Sequence, residues 1–189
     1  MNDEFEVIPT NHLKYVNMVF NKIQYRSPHT HREFELIYNF GCDAIYNSSS
    51  IRVLLKSGSF AIFNPNQAHE IIAQASDPFM VCLQIAPEFF ENINEELSYL
   101  EFDAFYLEGY DTTRMRDLVT HLSYAYLKQE DTYSFECASL IYQIFKELFD
   151  TFPHHITTPS EKKSNEEKAF RLKRILKYAK NHYTEKISL

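Results

Sequence analysis

The side chains best suited to chemistry form two short groups in the first half of the chain. The first group contains His29 and His31, separated by one residue, and then Glu35. The second places His69 four residues after Pro65. Neutral imidazole and carboxylate groups are ligands for divalent iron, manganese, nickel or zinc. In a strand, two histidines at this spacing lie on one face, as a shared metal requires. The residues therefore predict a metal site as one possibility.

The same side chains also suit a metal-free pocket for a small organic effector. In this interpretation His31 and His69 are hydrogen-bonded inside a polar pocket, because buried polar groups need partners. An effector pocket has an apolar lining and a few converging polar groups, and aromatic rings stack on a sugar or cover an apolar ligand. The predicted effector-binding residues are His29, His31, Glu35, Tyr38, Tyr46, Arg52, Phe63 and His69. For Arg52, a surface charge beside Asp43 is the alternative.

These residues lie among segments that predict short strands. From about 12 to 86 the chain alternates between runs rich in β-branched and aromatic residues and turn-forming clusters. Strands this short and regular favour an antiparallel barrel or sandwich over a parallel sheet. Pro87 opens a predicted short helix over 87–100, and 101–108 is a candidate for one more strand.

Two amphipathic helices are predicted next, and the short polar link between them predicts an antiparallel hairpin. They begin near Asp111 and Asp131. The hairpin has more apolar surface than one barrel needs, which predicts a dimer interface. The predicted dimerisation residues are Met115, Leu118, Val119, Leu122, Ile141, Ile144, Phe145 and Leu148.

The C-terminal part of the chain is basic, whereas the rest is acidic. Residues 161–189 contain nine Lys or Arg and four Asp or Glu, and the remainder contains 10 basic and 22 acidic residues. This asymmetry fits a nucleic-acid-facing segment joined to a non-binding domain, and a solvated helix face gives the same charge. The polar segment 153–167 predicts a linker. A basic helix is predicted over 168–183, and Ser188 is a good N-cap for a helix that would follow.

Two blocks of residues resemble the motifs of the cupin barrel: His29, His31, Glu35 and Gly41, then Gly58, Pro65 and His69. With the hairpin, linker and basic helix, the chain resembles the sensor half of an AraC-type transcription regulator. The resemblance implies a mainly β fold with α, namely a cupin-like antiparallel β-barrel (jelly roll) followed by an α-helical hairpin. The implied organisation is an effector-binding barrel at 1–110, a dimerising hairpin at 111–152, a linker at 153–167, and the first helix of a truncated helix-turn-helix DNA-binding domain at 168–189.

The resemblance implies a ligand sensor that is not an enzyme and has no catalytic residues. We expect a small-molecule effector, a carbohydrate by analogy, a homodimer, and DNA binding only through the full-length protein. The alternative is a small metal-dependent cupin enzyme, an isomerase or dioxygenase, with His29, His31, Glu35 and His69 as metal ligands. The spacings from Glu35 to Gly41 and from Pro65 to His69 are each one residue shorter than in the enzymes, so we predict no cofactor and no metal.

The orientation of the strand over 33–40 separates two versions of the pocket. Glu35 shares one face with Glu33, Ile37 and Asn39, and the aromatic residues share the other face. If apolar side chains line the barrel, Glu35 points outward. If the cupin pattern holds, Glu35 points inward and the aromatic face packs on the helices, and we favour this orientation.

Other sequence signals bear on activity and compartment. The sequence contains no Gly-x-Ser-x-Gly elbow and no dinucleotide fingerprint, and its three glycines nearly exclude a phosphate-binding loop. Cys42, Cys82 and Cys137 are far apart and predict reduced thiols in a cytoplasmic protein. No stretch approaches the roughly 18 apolar residues of a membrane span, so we predict no membrane partner.

Overall fold

The computed structural model describes residues 13–91, 93–106 and 109–182. In chain order, the strands are β1 Val16–Asn21, β2 Tyr25–His29, β3 Phe34–Phe40, β4 Ala44–Ser48, β5 Ile51–Leu55, β6 Phe60–Phe63, β7 His69–Ala73, β8 Phe79–Ile85, β9 Leu100–Phe102 and β10 His154–Ile156. The α-helices are α1 Thr113–Lys128, α2 Tyr133–Thr151 and α3 Pro159–His182. Two short 3₁₀ helices, Pro87–Phe89 and Glu95–Tyr99, stand where one helix was predicted over 87–100. None of the described helices is long and apolar enough to cross a membrane.

Two four-stranded antiparallel sheets pack face to face as a jelly-roll-like sandwich. The first sheet has the order β1-β8-β3-β6, and the second has the order β2-β7-β4-β5. Between them lies a buried apolar layer that includes Ile37, Phe63 and Met80 from the first sheet and Tyr46 and Ile71 from the second. The predicted fold class, mainly β with α in a jelly-roll arrangement followed by a helical hairpin, is therefore confirmed, although the described strands form two separate sheets and not one closed barrel.

Strand β3 is buried on both faces because it lies between the second sheet and the helices. Glu35 and Ile37 point between the two sheets, as favoured from the sequence. Phe34, Leu36 and Tyr38 point the other way and join the core beneath α1 and α2. Two turns at the C-terminal end of β3 have a left-handed backbone, which glycine adopts without a Cβ penalty: φ is +91° at Gly41 and +84° at Gly58.

Helices α1 and α2 cover the outer face of the first sheet. They begin directly after the predicted starts, at Thr113 and Tyr133. All eight side chains predicted to mediate dimerisation lie in the core of this one chain. Burial of each large aliphatic side chain stabilises the fold by about 1.5–3 kcal/mol. Since these side chains are already buried against the sheet, other residues of the hairpin must meet any partner.

The segment 153–167 differs from the predicted linker. Strand β10 pairs with β9, and α3 begins at Pro159. The local reason is a capping box. The backbone N–H of Thr158 donates to Oε2 of Glu161 at 2.8 Å, and the Glu161 N–H donates back to Oγ1 of Thr158 at 3.3 Å. The predicted cap at Ser188 lies outside the described residues.

Candidate functional site

Four of the predicted residues meet between the two sheets: His29, His31, Glu35 and His69. Each offers one potential ligand atom, and these atoms all lie within 4.8 Å of one another. All four residues are buried. They come from the end of β2, the turn after it, β3 and the start of β7, so the sandwich fold itself brings them together.

An irregularity in β2 positions His29. The pairing of β2 with β7 shifts register between Arg26 and His29, around Pro28, which has no N–H for the ladder. After the shift, His29 lies opposite His69, and their ring centroids are 4.2 Å apart. The Nδ1 of His29 lies 2.9 Å from the carbonyl oxygen of Ser27. The bulge therefore directs the His29 imidazole into the cluster and fixes its outer nitrogen, Nδ1, against the carbonyl oxygen of Ser27.

Glu35 lies at the centre of the cluster. Its Oε2 is 3.2 Å from Nε2 of His31 and 2.7 Å from Nε2 of His69. Its Oε1 accepts a hydrogen bond of 2.9 Å from Nε2 of Gln84. Burial by itself raises the pKa of Glu35, but the hydrogen bonds and charges of His31 and His69 outweigh it and hold that pKa well below its usual range. Glu35 is therefore a carboxylate that organises its neighbours.

The outer nitrogens of the three imidazoles all face oxygen atoms. The Nδ1 of His69 lies 2.9 Å from the carbonyl oxygen of Gln67, and the Nδ1 of His31 lies 3.6 Å from Oε2 of Glu33. The 3.6 Å separation at His31 is too long for a hydrogen bond. With a metal bound, donation from Nδ1 to a carbonyl oxygen at His29 and His69 would leave the lone pair on Nε2 for the ion, and metal-binding histidines are commonly fixed in this way. Burial, with the nearby His69, lowers the pKa of His29 to about 3, so this imidazole is neutral. The donor set of three imidazoles and one carboxylate fits a divalent transition metal.

A cavity of about 1110 Å³ opens beside this cluster and reaches the surface between β1, β2 and the end of α1. His29 and Glu35 are the cluster members that line it. The other lining residues are Asn17, Met18, Val19, Phe20, Asn21, Lys22, Ile23, Gln24, Tyr25, Arg26, Ile71, Cys82, Gln84, Tyr126, Leu127 and Gln129. Its volume is slightly above the range of roughly 300–1,000 Å³ that is typical of small-molecule sites.

A chain of amide groups, not anticipated from the sequence, forms the polar floor of the cavity. Asn17 Nδ2 donates to Oε1 of Gln84 at 2.8 Å, and Gln84 in turn donates to Glu35. Both amide residues are buried. The signal was present in β8, where Gln84 alternates with the apolar Leu83 and Ile85 on a buried strand. A polar residue at an inward position of such a strand indicates a site.

The remaining predicted effector residues lie away from the cavity. The Phe63 ring stacks on His69, with ring centroids 4.0 Å apart and ring planes at 7°. Phe63 therefore packs against the cluster and does not line the cavity. Tyr46 is fully buried, and its hydroxyl donates to Oδ1 of Asn39. Tyr38 lies on the opposite face of β3 and stacks on Phe60, whose centroid is 4.7 Å away. Arg52 is exposed on β5, which fits the alternative of a surface charge, but the charged partner of Asp43 is Lys56. The structure thus corrects the placement of Tyr38 and Arg52.

Comparison with known families identifies the fold. The model of the AraC-like ligand binding domain matches residues 21–145, from the end of β1 into α2. The chain belongs to this family. The matched residues include the whole cluster, most of the cavity lining and most of the helical hairpin, whereas the cavity-lining residues 17–20 of β1 precede them. No curated protein matches the sequence.

Several solved structures are similar in part to this AraC-like domain. The AraC-like transcriptional activator CuxR has 12% identity and a TM-score of 0.44, and the match covers 70% of this chain and 50% of CuxR. KdgF from Halomonas sp. has 13% identity and a TM-score of 0.37, with 43% of this chain and 86% of KdgF covered. An RmlC-like cupin from Shewanella frigidimarina has 18% identity and a TM-score of 0.34, with 40% and 71% covered.

Proposed function

We propose that this AraC-like domain senses a small effector in the 1110 Å³ cavity and thereby controls DNA binding by a C-terminal domain of a transcription regulator. The observation that carries the proposal is the polar floor of that cavity, in which Asn17, Gln84 and Glu35 form one hydrogen-bonded chain. A family built to bind ligands and a large cavity with converging polar groups support the same conclusion.

A hydroxyl-rich effector such as a carbohydrate fits this floor. Each amide offers a carbonyl acceptor and N–H donors, and Glu35 offers a carboxylate acceptor, so a hydroxyl group can donate to one and accept from another. Aromatic side chains from Phe20, Tyr25 and Tyr126 line the cavity wall. Rings of this kind pack on the apolar face of a sugar while the polar groups satisfy its hydroxyls.

We also propose that the domain forms a homodimer through the tip of the helical hairpin. Three large apolar side chains near the α1–α2 turn are exposed, namely Tyr124 at 63%, Leu127 at 66% and Phe135 at 79%. Exposed apolar groups concentrated in one region mark interaction surfaces. A twofold pair would use the same patch on both copies.

The second candidate function is that of a metal-dependent cupin enzyme. The observation that favours it is the inward arrangement of His29, His31, Glu35 and His69, with an oxygen atom facing each outer nitrogen. A bound divalent ion would act there as a Lewis acid. Turnover of a substrate by the metal-loaded chain would favour this candidate over the sensor.

A thermal-shift screen of sugars and small metabolites tests the sensor proposal. A ligand that binds only the folded state raises stability by about 2.7 kcal/mol at a hundredfold excess over its dissociation constant. We expect at least one class of hydroxylated compound to raise the melting temperature of the 189-residue chain. A flat response across the screen contradicts the proposal.

A further inference from the structure

We propose that the loop between β6 and β7, residues 64–68, couples the histidine–glutamate cluster to the docking of α3. A change in the cluster would then alter how firmly α3 is held against the sandwich. This inference rests on the proposed sensing function and adds the route by which the sensor communicates with the C-terminal helix. Three sets of contacts carry it, from the cluster to the loop, from the loop to β9, and from β9 to α3.

The loop is hydrogen-bonded directly to two members of the cluster. The backbone N–H of Asn66 donates to the carbonyl oxygen of His31 at 2.7 Å. The imidazole of His69 meets the carbonyl oxygen of Gln67 at 2.9 Å. The Gln67 side chain is itself fixed, because its Nε2 donates to Oγ of Ser48 at 2.8 Å. A shift of the His69 imidazole, or of the backbone at His31, would therefore displace this loop.

Asn64 joins the loop to β9 by two hydrogen bonds. Its Nδ2 donates to the carbonyl oxygen of Phe102 at 2.8 Å, and the N–H of Phe102 donates to its Oδ1 at 2.9 Å. The Asn64 backbone N–H donates to Oε1 of Gln67 at 2.9 Å, so the same residue is hydrogen-bonded both to the loop and to β9. This paired geometry imitates one step of a β-ladder, and it makes Asn64 a positioning residue.

Strand β9 and the 3₁₀ helix before it then hold the start of α3. Phe102 pairs with His154 of β10, which leads into α3. Lys162 Nζ donates to the carbonyl oxygen of Ser98 at 3.1 Å, and Asn165 Nδ2 donates to Oε1 of Glu101 at 3.2 Å. These two contacts are polar and only partly buried, so we expect the docking of α3 to be reversible. A cavity of about 430 Å³ between the loop and the helix leaves room for it to move.

Hydrogen–deuterium exchange of the 189-residue chain, read on peptides from the start of α3, tests the route. Asn64→Ala should speed exchange over 159–168 roughly tenfold, because two hydrogen bonds of ordinary net strength are lost. Glu35→Gln, which disturbs the cluster, should change that exchange several-fold in the wild-type background. In the Asn64→Ala background, Glu35→Gln should change the exchange rate over 159–168 by less than about twofold, because the effects of coupled residues are not additive. The matched control is Asp43→Ala, which frees the turn at Ser57 on a different loop and should leave α3 unchanged.

The outcomes separate the coupling from the sensing function. An equal effect of Glu35→Gln in both backgrounds, or unchanged α3 exchange in Asn64→Ala, overturns the coupling. Should Asn64→Ala fail to fold, Asn64→Asp keeps the acceptor for the Phe102 N–H and loses the donor, and it should show the same direction with a smaller change. The exchange measurements on the single and double variants need no ligand. They therefore test the coupling even if the thermal-shift screen finds no effector. An effector that stabilises the chain but leaves α3 exchange unaltered would preserve sensing and contradict this route.

Discussion

Nε2 of His69 lies 2.7 Å from Oε2 of Glu35, and both side chains are almost completely excluded from solvent. His31 contacts the same carboxylate oxygen at 3.2 Å. Charge-assisted contacts of this kind are strong in a low-dielectric interior, and they are costly to leave half-made. Glu35 is therefore the residue on which the arrangement of the cluster depends.

Removal of the charge on Glu35 should destabilise the fold. We expect Glu35→Gln to lower the free energy of unfolding by about 3–5 kcal/mol, because His31 and His69 lose a buried charged partner. Denaturant unfolding monitored by circular dichroism measures the change. Asp77→Asn is the matched control, since it breaks the exposed pair of Lys22 and Asp77, and it should cost less than about 1 kcal/mol. Equal effects of the two variants would contradict the central role of Glu35.

The oligomeric state should respond to the exposed tip of the hairpin and not to its buried face. We expect the wild-type chain to be a dimer in light scattering. Phe135→Glu should yield a folded monomer, because this side chain is 79% exposed. Ile144→Glu should instead unfold the chain, because Ile144 is fully buried in the core. A wild-type monomer at tens of micromolar, roughly the range of weak interfaces, would rule out the dimer.

The thiol of Cys137 should be almost inert in the folded chain. Burial, with the charge of Glu136, raises its pKa to about 11. At pH 8 the thiolate fraction is then lower by about a hundredfold than in the unfolded chain. Labelling of a Cys42→Ala, Cys82→Ala variant with a thiol reagent measures this directly. Because the folded pKa is raised, the associated stability is present below pH 9.0 and is lost as the pH rises towards about 11. Rapid labelling at pH 8 without denaturant would contradict the buried position.

The metal-dependent alternative makes its own quantitative prediction. A functional centre at the cluster requires one divalent ion per chain after equilibrium dialysis against Zn²⁺ or Ni²⁺, with release of protons on binding. His31→Ala should abolish that binding, whereas His155→Ala, which alters an exposed histidine paired with Asp103, should retain it. A wild-type chain that emerges free of metal excludes this candidate.

Much of the architecture was predictable because it depends on local patterns. Runs rich in β-branched and aromatic residues predicted the strands between about 12 and 86, and helical spacing predicted α1 and α2. The spacing of His29 and His31, with Glu35 and His69, identified the cluster from residue type alone. Alternation alone did not show which face of β3 points between the sheets. Only the resemblance to the cupin pattern favoured the orientation that places Glu35 inside the sandwich.

Other features depended on tertiary contacts that no local pattern encodes. Tyr38 was assigned to the site, yet its neighbours Phe60 and the hairpin lie on the other face of β3. The end of β2 was not predictable, because Pro28 and a shift in its pairing with β7 interrupt the strand. The capping box at Thr158 was overlooked among polar residues, so a docked helix was predicted as linker. Gln84 carried a local signal as a polar residue in an apolar strand, but its link to Asn17 could be recognised only once β1 and β8 were known to be neighbours.

The most direct test of the account is calorimetric titration of the best compound from the thermal-shift screen into three matched chains. Wild type and Arg52→Ala should bind with the same affinity, because Arg52 is exposed on β5, away from the cavity. Gln84→Leu keeps the side-chain volume but removes the amide from the cavity floor, and it should weaken binding by at least tenfold, as expected when buried hydrogen bonds to a ligand are lost. Equal affinity of Gln84→Leu and wild type, or weaker binding by Arg52→Ala alone, would contradict effector binding in this cavity.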